Sequence, residues 1–473
     1  MQKQNKLFVV AIAAVLVLSF ATFATAQERG GGAAVAGAQS EATPRGMQSG
    51  HIYTPESSIE RPEDAGLRFH TNYVFPSVDG KKPAGTKAPQ RMETINPDSI
   101  TEIPETPNSM GCLYVKSPTS AGCVPNYNPG SGGPSSAGWG AIALVDAFDN
   151  PDASSDLAAF DSYWGLPAAS FLKVYANGNG DCTAPPANAG WSVEESLDIE
   201  WAHVFAPKAI IILVEACSNS GTDLYYAEQV AFSYVQYYGG GAVSNSWGSG
   251  EYSGENSNDA LFAGFHYNYT IPTVTFASAG DSGCGAAYPS SNPWLTSAGG
   301  TSVLRTASND HFSSESCWAG SGGGTSSYET WANSYTGSNT GAWADYQYPI
   351  LGEANRATPD FAFNADPSSG VYIYNAYDCG GFCYVGGTSV ASPSLASIVN
   401  RAGNKLSTWY GFPTLGYGYF SNEENTLLYS QLPTALAYKT NFYDIKTGGN
   451  SCTVKANWDY CTGVGSPRGL LGK

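Results

Sequence analysis

The chain has 473 residues, with 40 acidic against 22 basic side chains, a formal net charge of −18 and a sequence pI of about 4.6. Nucleic acid is excluded as a partner class, because no basic footprint exists to neutralise phosphates. Charged residues make up only 13%, so falling pH strips the surface of negative charge without building up a large positive one, which suits an acidic milieu.

The chain opens MQKQNKLFVVAIAAVLVLSFATFATAQ, two lysines before an unbroken apolar stretch and then the small residues Ala24, Thr25 and Ala26. This pattern predicts a secretory signal peptide over 1–26. No later apolar run approaches the roughly 20 residues a spanning helix needs, so the expected product is exported and free of the membrane once the signal is removed. Residues 27–105 are rich in Gly, Ala, Pro, Glu and Ser with little periodicity, and are read as a propiece or poorly structured leader. A peptidase-sized domain is expected over 106–473, beginning with a loop-rich lead-in to residue 138.

From there strands and helices alternate. IALVDAF (142–148) reads as a buried strand, DASSDLAAFDSYWGLP (152–167) as a helix stopped by glycine and proline, and FLKVYA as a strand. WSVEESLDIEWAHVF is a helix, AIIILVEA a strand, TDLYYAEQVAFSYVQYYGG a helix, AVSNSW a strand, NDALFAGFHYNY a helix and TVTFASAG a strand. The alternation predicts an α/β fold, a mainly parallel sheet with helices on both faces and ligands at the carboxyl ends of the strands.

Ten cysteines in an exported chain are read as disulfides. Cys112 with Cys123, Cys379 with Cys383 and Cys452 with Cys461 are near enough in sequence to pair easily. Cys182, Cys217, Cys284 and Cys317 would then form two longer bridges of open connectivity. A zinc site ranks below this, the cysteines being scattered and the histidines only five.

Three stretches carry candidate chemistry. In GTSVASP (387–393) Ser389 stands at a helix start, where it is either an N-cap or a nucleophile beside free N–H groups. In WSVEESLDIEW, Glu194 and Asp198 are four apart and share a helix face, a solvated acidic face in most proteins, but here set among Trp191, Leu197, Trp201 and Val204. Glu195 and Glu200 project elsewhere and are assigned to the surface. Asp281 in ASAGDSGCG follows a buried strand, either as a turn residue or as part of a site.

Together these stretches resemble the sedolisin family, the serine-carboxyl peptidases of the kumamolisin kind. The resemblance runs from about 106 to the C-terminus through TPNSMGCLY, IALVDAFDNPDASSDLAAF, EESLDIEWAH, SNSWG, ASAGDSGCGAAYPSSNPWLTSAGGTS, WAGSGGGTS, RATPDFAFNADPSSG, VGGTSVASP and NWDYCTGVGSP, in that order. It implies a subtilisin-like fold and a secreted, acid-active endopeptidase. Ser389 would be the nucleophile, Glu194 its base, Asp198 the support of that base, and Asp281 the side-chain donor to the oxyanion.

The resemblance also implies a structural calcium ion near the C-terminus, held by the carboxylates of Asp444 and Asp459 and the carbonyls of Ile445, Lys455 and Asn457. Lys455 and Asn457 stand where the family usually has glycine, and the leader is far shorter than the family's folded propiece. Trp247 in SNSWG and Asp146 at the end of the first strand are each either packing or part of the acidic network. AGSGGGTS (319–326) is a loop bordering the cleft or a flexible linker. The expected partners are protein or peptide substrates, and the expected state is a monomer. Two other readings stay open: a neutral subtilisin-type peptidase using His203, although no HGT segment exists, and a silent binding protein on the same fold.

Overall fold

The structure, a computed structural model, describes residues 52–473 except 78, 93, 96–99, 117–121, 133–135, 264–270, 331–345 and 404–420. The expected signal peptide and the first part of the expected leader lie outside the described residues. All described residues belong to one unit, Pro44–Lys473.

The alternating elements are β1 (Ala141–Ala147), α1 (Ala153–Trp164), β2 (Ser170–Ala176), α2 (Ala189–Phe205), β3 (Ile210–Ala216), α3 (Gly221–Tyr237), β4 (Gly241–Asn245), β5 (Thr273–Ser278), β6 (Thr296–Thr306) and α4 (Thr388–Gly403). The helices start and stop for local reasons. Asn188 and Ser220 cap α2 and α3 by accepting from Trp191 N–H and Asp223 N–H, and Gly165 ends α1 at a φ of 71° that favours glycine.

The strands run β6-β5-β4-β1-β3-β2, every neighbouring pair parallel. Further strands flank β6: Phe361–Asn364 lies parallel to it, Phe312–Cys317 and Ile100–Glu102 antiparallel. Side chains alternate between the faces, as the period of two requires. Ile142, Leu144, Ile211 and Leu213 pack with α1, α2 and α4. Ala141, Ala143, Val145, Ile212 and Val214 face α3. The expected parallel sheet covered by helices on both faces is the fold, and it is subtilisin-like.

The described residues of 52–105, in the stretch read from sequence as a propiece or poorly structured leader, are folded. Ile52–Tyr53 pairs with Phe75–Pro76, His70–Thr71 pairs with Trp247–Gly248, and Ile100–Glu102 extends the main sheet. Glu105 forms a fully buried, two-toothed ion pair with Arg305 at 2.5 and 2.6 Å. The packed body of the protein therefore begins well before residue 106. The stretch Thr71–Phe75 is buried throughout, and the strands here are only two residues long, His70–Thr71 and Phe75–Pro76.

Two other expectations are corrected, and one open alternative is settled. Cys112–Cys123 and Cys379–Cys383 are bonded as expected, but Cys452 pairs with Cys284 and Cys461 with Cys317, leaving Cys182 with Cys217. The C-terminal loop lies against two earlier segments, so spatial contact overrides closeness in sequence. The helix expected over 258–269 is a 3-10 helix, Glu255–Phe262, and residues 264–270 lie outside the described residues. AGSGGGTS is no loose linker: Gly322 N–H donates to the Gly280 carbonyl at 2.7 Å, and Gly323 exchanges hydrogen bonds with Gly285. A Cβ at Gly322 would fall 1.8 Å from the Ala279 oxygen, so only glycine lets this loop close on the one carrying Asp281.

Candidate active site

After β1 the chain passes outward to β2 and β3, then returns to place β4 on the other side of β1. Such a reversal opens a crevice at the carboxyl ends of the strands. Around it stand the end of β1, the residues following β4 and β5, one face of α2 and the first turn of α4.

Ser389 is the second residue of α4 and is fully buried. Its Oγ donates toward Glu194 Oε2 at 2.9 Å, with the Ser246 carbonyl 3.2 Å away. The two partners of the first contact are 195 residues apart, so this is a tertiary arrangement and no N-cap. Pro393 has no N–H to bond the carbonyl four residues back, that of Ser389, and Ser246 Oγ approaches that carbonyl at 3.5 Å.

Asp198 follows Glu194 by one turn of α2, and its Oδ1 accepts from Ser246 Oγ at 2.7 Å. Glu194 Oε1 and Asp198 Oδ2 are enclosed and lack a donor among the described residues. Burial, then the charges of Asp198 and Asp146, pushes Glu194 well above the usual carboxyl range, against the hydrogen bond from Ser389. Burial, then Asp146, pushes Asp198 up as well, against hydrogen bonds from Ser246 and Glu194. Two adjacent buried carboxyls cannot both ionise cheaply, so at most one of the two carries a charge at a time. A pair with one carboxyl ionised can take the serine's proton without ever holding two negative charges.

Asp281 follows β5. Its Oδ1 accepts from the N–H and the hydroxyl of Thr388, each at 2.8 Å. Its Oδ2 is enclosed and lacks a donor among the described residues, although the residue as a whole is partly exposed. The enclosure of the carboxyl is what matters for its proton, and burial lifts it to about 7, against the hydrogen bonds from Thr388. A Cβ on Gly387, whose φ is 120°, would lie 2.6 Å from that Oδ2 and 2.2 Å from the Asn72 carbonyl oxygen. That carbonyl also accepts from Ser389 N–H at 3.0 Å. Asp281 Oδ2 thus stands near the oxygen that the Ser389 N–H holds, and a protonated Asp281 would be a second donor in that neighbourhood.

The neighbours divide. Trp247 Nε1 donates to the Val145 carbonyl at 2.8 Å and its ring packs edge-on against Phe69, so its polar atom is committed to the strand floor of the crevice. Asp146 is fully buried with neither oxygen given a donor, and burial lifts it to about 8. Glu195 and Glu200, assigned to the surface, are both fully buried, because α2 is covered on every side from Trp191 to Phe205. Glu200 accepts from Tyr374 N–H at 3.0 Å. His203 is also buried, more than two turns beyond Glu194. Its Nε2 lies 2.8 Å from the Pro167 carbonyl and 3.4 Å from Asp161, and burial lowers its pKa. The reading that used His203 as base is overturned.

These buried acids carry a stability consequence. Asp146, Glu215 and Glu228 sit at about 8 in the fold and Asp281 at about 7, all raised first by burial above carboxyl values near 4. Folding therefore takes up protons between these limits, and stability present in acid is lost as pH rises through 7 and 8. Calorimetry should find the melting temperature falling between about pH 4 and pH 8; a rise across that window would contradict the assignment.

At the C-terminal loop Asp444 and Asp459 supply two carboxylates, the donor type a hard cation takes. Asp444 Oδ1 accepts from Asn457 N–H at 2.8 Å, and its Oδ2 meets Lys446 Nζ at 2.7 Å. Asp459 Oδ1 accepts from the N–H groups of Cys461 and Thr462, and its Oδ2 from Lys455 N–H at 3.4 Å. The Asn457 carbonyl accepts from Tyr438, and Ile445 is buried beside Cys317 and Cys461. Among the described residues no group of three or more His, Cys, Asp or Glu side chains gathers as a metal site.

A subtilisin-like sheet whose serine meets a glutamate in place of an imidazole narrows the class to one branch of that fold. Kumamolisin from Bacillus sp. (strain MN-32) is 30% identical over 363 residues, 70% of this chain and 58% of that protein. Sedolisin from Pseudomonas sp. (strain 101) is 24% identical over 339 residues, 66% of this chain and 53% of that protein. The chain belongs to the sedolisin family and is kumamolisin-like. It spans little more than half the length of these two relatives. The solved Pseudomonas sedolisin, a serine-carboxyl proteinase in complex with two molecules of pseudo-iodotyrostatin, superposes with a TM-score of 0.57 at 22% identity, covering 77% of this chain and 95% of that one. No protein-family model matches the chain.

Proposed function

We propose that the protein is a secreted, acid-active serine-carboxyl endopeptidase. The observation that carries the reading is the 2.9 Å contact from Ser389 Oγ to Glu194 Oε2, inside a crevice where the Ser389 N–H holds a carbonyl oxygen that Asp281 Oδ2 stands near. Ser389 attacks the peptide carbonyl, Glu194 takes its proton, Asp198 supports Glu194, and protonated Asp281 with the Ser389 N–H holds the oxyanion. An imidazole base is disabled in acid, whereas the intrinsic carboxyl range lies lower, and the pair acts as base whenever one of its two carboxyls has lost its proton. Export is supported by the N-terminal signal pattern and by five disulfides, and no helix among the described residues is long and apolar enough to cross a membrane. The test is a mixed peptide set incubated with purified protein from acid to neutral pH. Cleavage confined to neutral pH, or none by the folded protein, rejects the reading.

A calcium ion on Asp444 and Asp459, completed by the carbonyls of Ile445, Lys455 and Asn457, belongs to the same proposal. It would have to displace Lys446 from Asp444. Removing a bound structural ion with a chelator should lower the melting temperature, and restoring calcium should return it. An unchanged melting curve removes the ion.

A further inference from the structure

Thr388 opens α4 and is fully buried, between the nucleophile that follows it and Gly387 before it. A threonine hydroxyl has one proton to give and lone pairs to receive. Here the Gly280 N–H donates to Oγ1 at 3.1 Å, so one lone pair is taken and the hydroxyl proton still needs an acceptor. Among the described residues that acceptor is Asp281 Oδ1, at 2.8 Å. The Thr388 N–H reaches the same Oδ1, also at 2.8 Å.

Two donors on one oxygen decide where an added proton sits. Oδ1 has both lone pairs engaged, so a proton arriving at Asp281 binds Oδ2, the enclosed oxygen without a donor among the described residues. The other arrangement, with Oδ1 protonated and donating back to Thr388 Oγ1, would turn the hydroxyl proton away from its acceptor. Oδ2 stands near the oxygen that the Ser389 N–H holds, so the acid proton lies on the side where an oxyanion forms. The same two donors stabilise the Asp281 anion, working against burial. Other titratable groups surround Asp281 but give it no hydrogen bond among the described residues. They are Glu194 on α2, whose carboxyl feels the Asp281 charge, and Glu60 and His70 on the N-terminal segment. Glu60 accepts from neighbouring Ser282 at 3.4 Å, and His70 lies 3.9 Å from Glu60.

We propose that Thr388 is a positioning residue for the oxyanion donor: its hydroxyl holds Asp281 Oδ1 so that the acid proton resides on Oδ2, and it sets the upper pH limit of turnover. The proposal rests on the peptidase reading and deepens it. Because Thr388 directly precedes Ser389, one turn of α4 carries both the nucleophile and the clamp on its partner loop. The Gly280 N–H ties that loop to the same hydroxyl, so nucleophile and donor stay in register.

The test is the pH profile of kcat for the purified full chain on a peptide it cleaves, compared with Thr388→Val and Thr388→Ser. Valine keeps the shape and the N–H but has no hydroxyl. Its kcat in acid should fall about fivefold, the worth of one neutral hydrogen bond, with KM nearly unchanged. Its limb near 7 should move up by about one pH unit, because the Asp281 anion has lost one of its two donors. Serine restores the hydroxyl and should bring both values back. The Ser389→Ala chain reads the same shift without turnover: the infrared carbonyl band of protonated Asp281, identified by its loss in Asp281→Asn, should titrate near 7, and about one unit higher with Thr388→Val. A midpoint that stays put or falls in Thr388→Val overturns the proposal, as does a Thr388→Ser chain that behaves like the valine chain. Should valine not fold, Thr388→Ala is read against the same outcomes. Unaltered, folded protein that cleaves no peptide in acid defeats the peptidase reading and the proposal with it, a result distinct from an active enzyme whose limb does not move.

Discussion

Replacing Ser389 with alanine should abolish peptide hydrolysis, lowering kcat by on the order of 10⁶, the scale at which a hydrolase loses its nucleophile. The nearby hydroxyls of Ser246 and Ser392 are committed elsewhere. Ser246 Oγ is committed to Asp198, and Ser392 Oγ pairs with Ser244 at 2.8 Å. The fold should survive, because the change removes contacts to Glu194 and the Ser246 carbonyl worth about 1 kcal/mol each and opens a space smaller than one water. Circular dichroism and the count of intact disulfides check that survival. Appreciable hydrolysis by the purified, folded variant would strip Ser389 of its role. Glu194→Gln is the companion measurement: an amide keeps the shape and the contact but accepts no proton, and a rate near that of the unaltered protein would remove Glu194 as the base.

Asp281 sets the second large effect. Burial holds its carboxyl protonated up to about 7, and only the protonated form can donate to an oxyanion. Above that pH the same group is an anion facing a developing anion. Turnover should fall as pH rises through about 7, and the limb should appear in kcat, because the enclosed state is the one with a peptide in the crevice. In acid, Asp281→Ala should lower kcat by about 10² to 10³, the usual cost of a missing oxyanion donor. Asp281→Asn donates at every pH, so any activity it retains should no longer fall near 7. An alanine variant running at full rate across the acid range would end the donor role.

What the sequence made legible follows from which forces are local. β1 and β3 were readable because a strand buried on both faces carries an unbroken apolar run, Ala141–Val145 and Ile210–Val214, β5 because Thr and Val fill it with β-branched residues, and α1 and α3 because glycine stops them. The pairing of Ser389 with Glu194 has no local signature; it became visible through the order of motifs shared with a family, and the geometry now supplies the contact. Glu195 and Glu200 were misplaced because helical spacing assigns a face but not its covering, and α2 is covered all round. The strand through Asn72 was missed for a different reason. Its pairing partners, Trp247–Gly248 and Gly386, are distant in the chain, and its own two-residue pieces fall below the length at which alternation is convincing.

One covalent bond links two places usually thought of separately. Cys284, three residues beyond Asp281, is joined to Cys452, and its N–H donates to the Asn450 carbonyl at 2.6 Å. The tail of the polypeptide is thereby a brace against the loop that aims the oxyanion donor. Damage far from the nucleophile, whether by reductant or by loss of the last few dozen residues, would reach the rate by letting that loop sag, while the serine itself stayed in place.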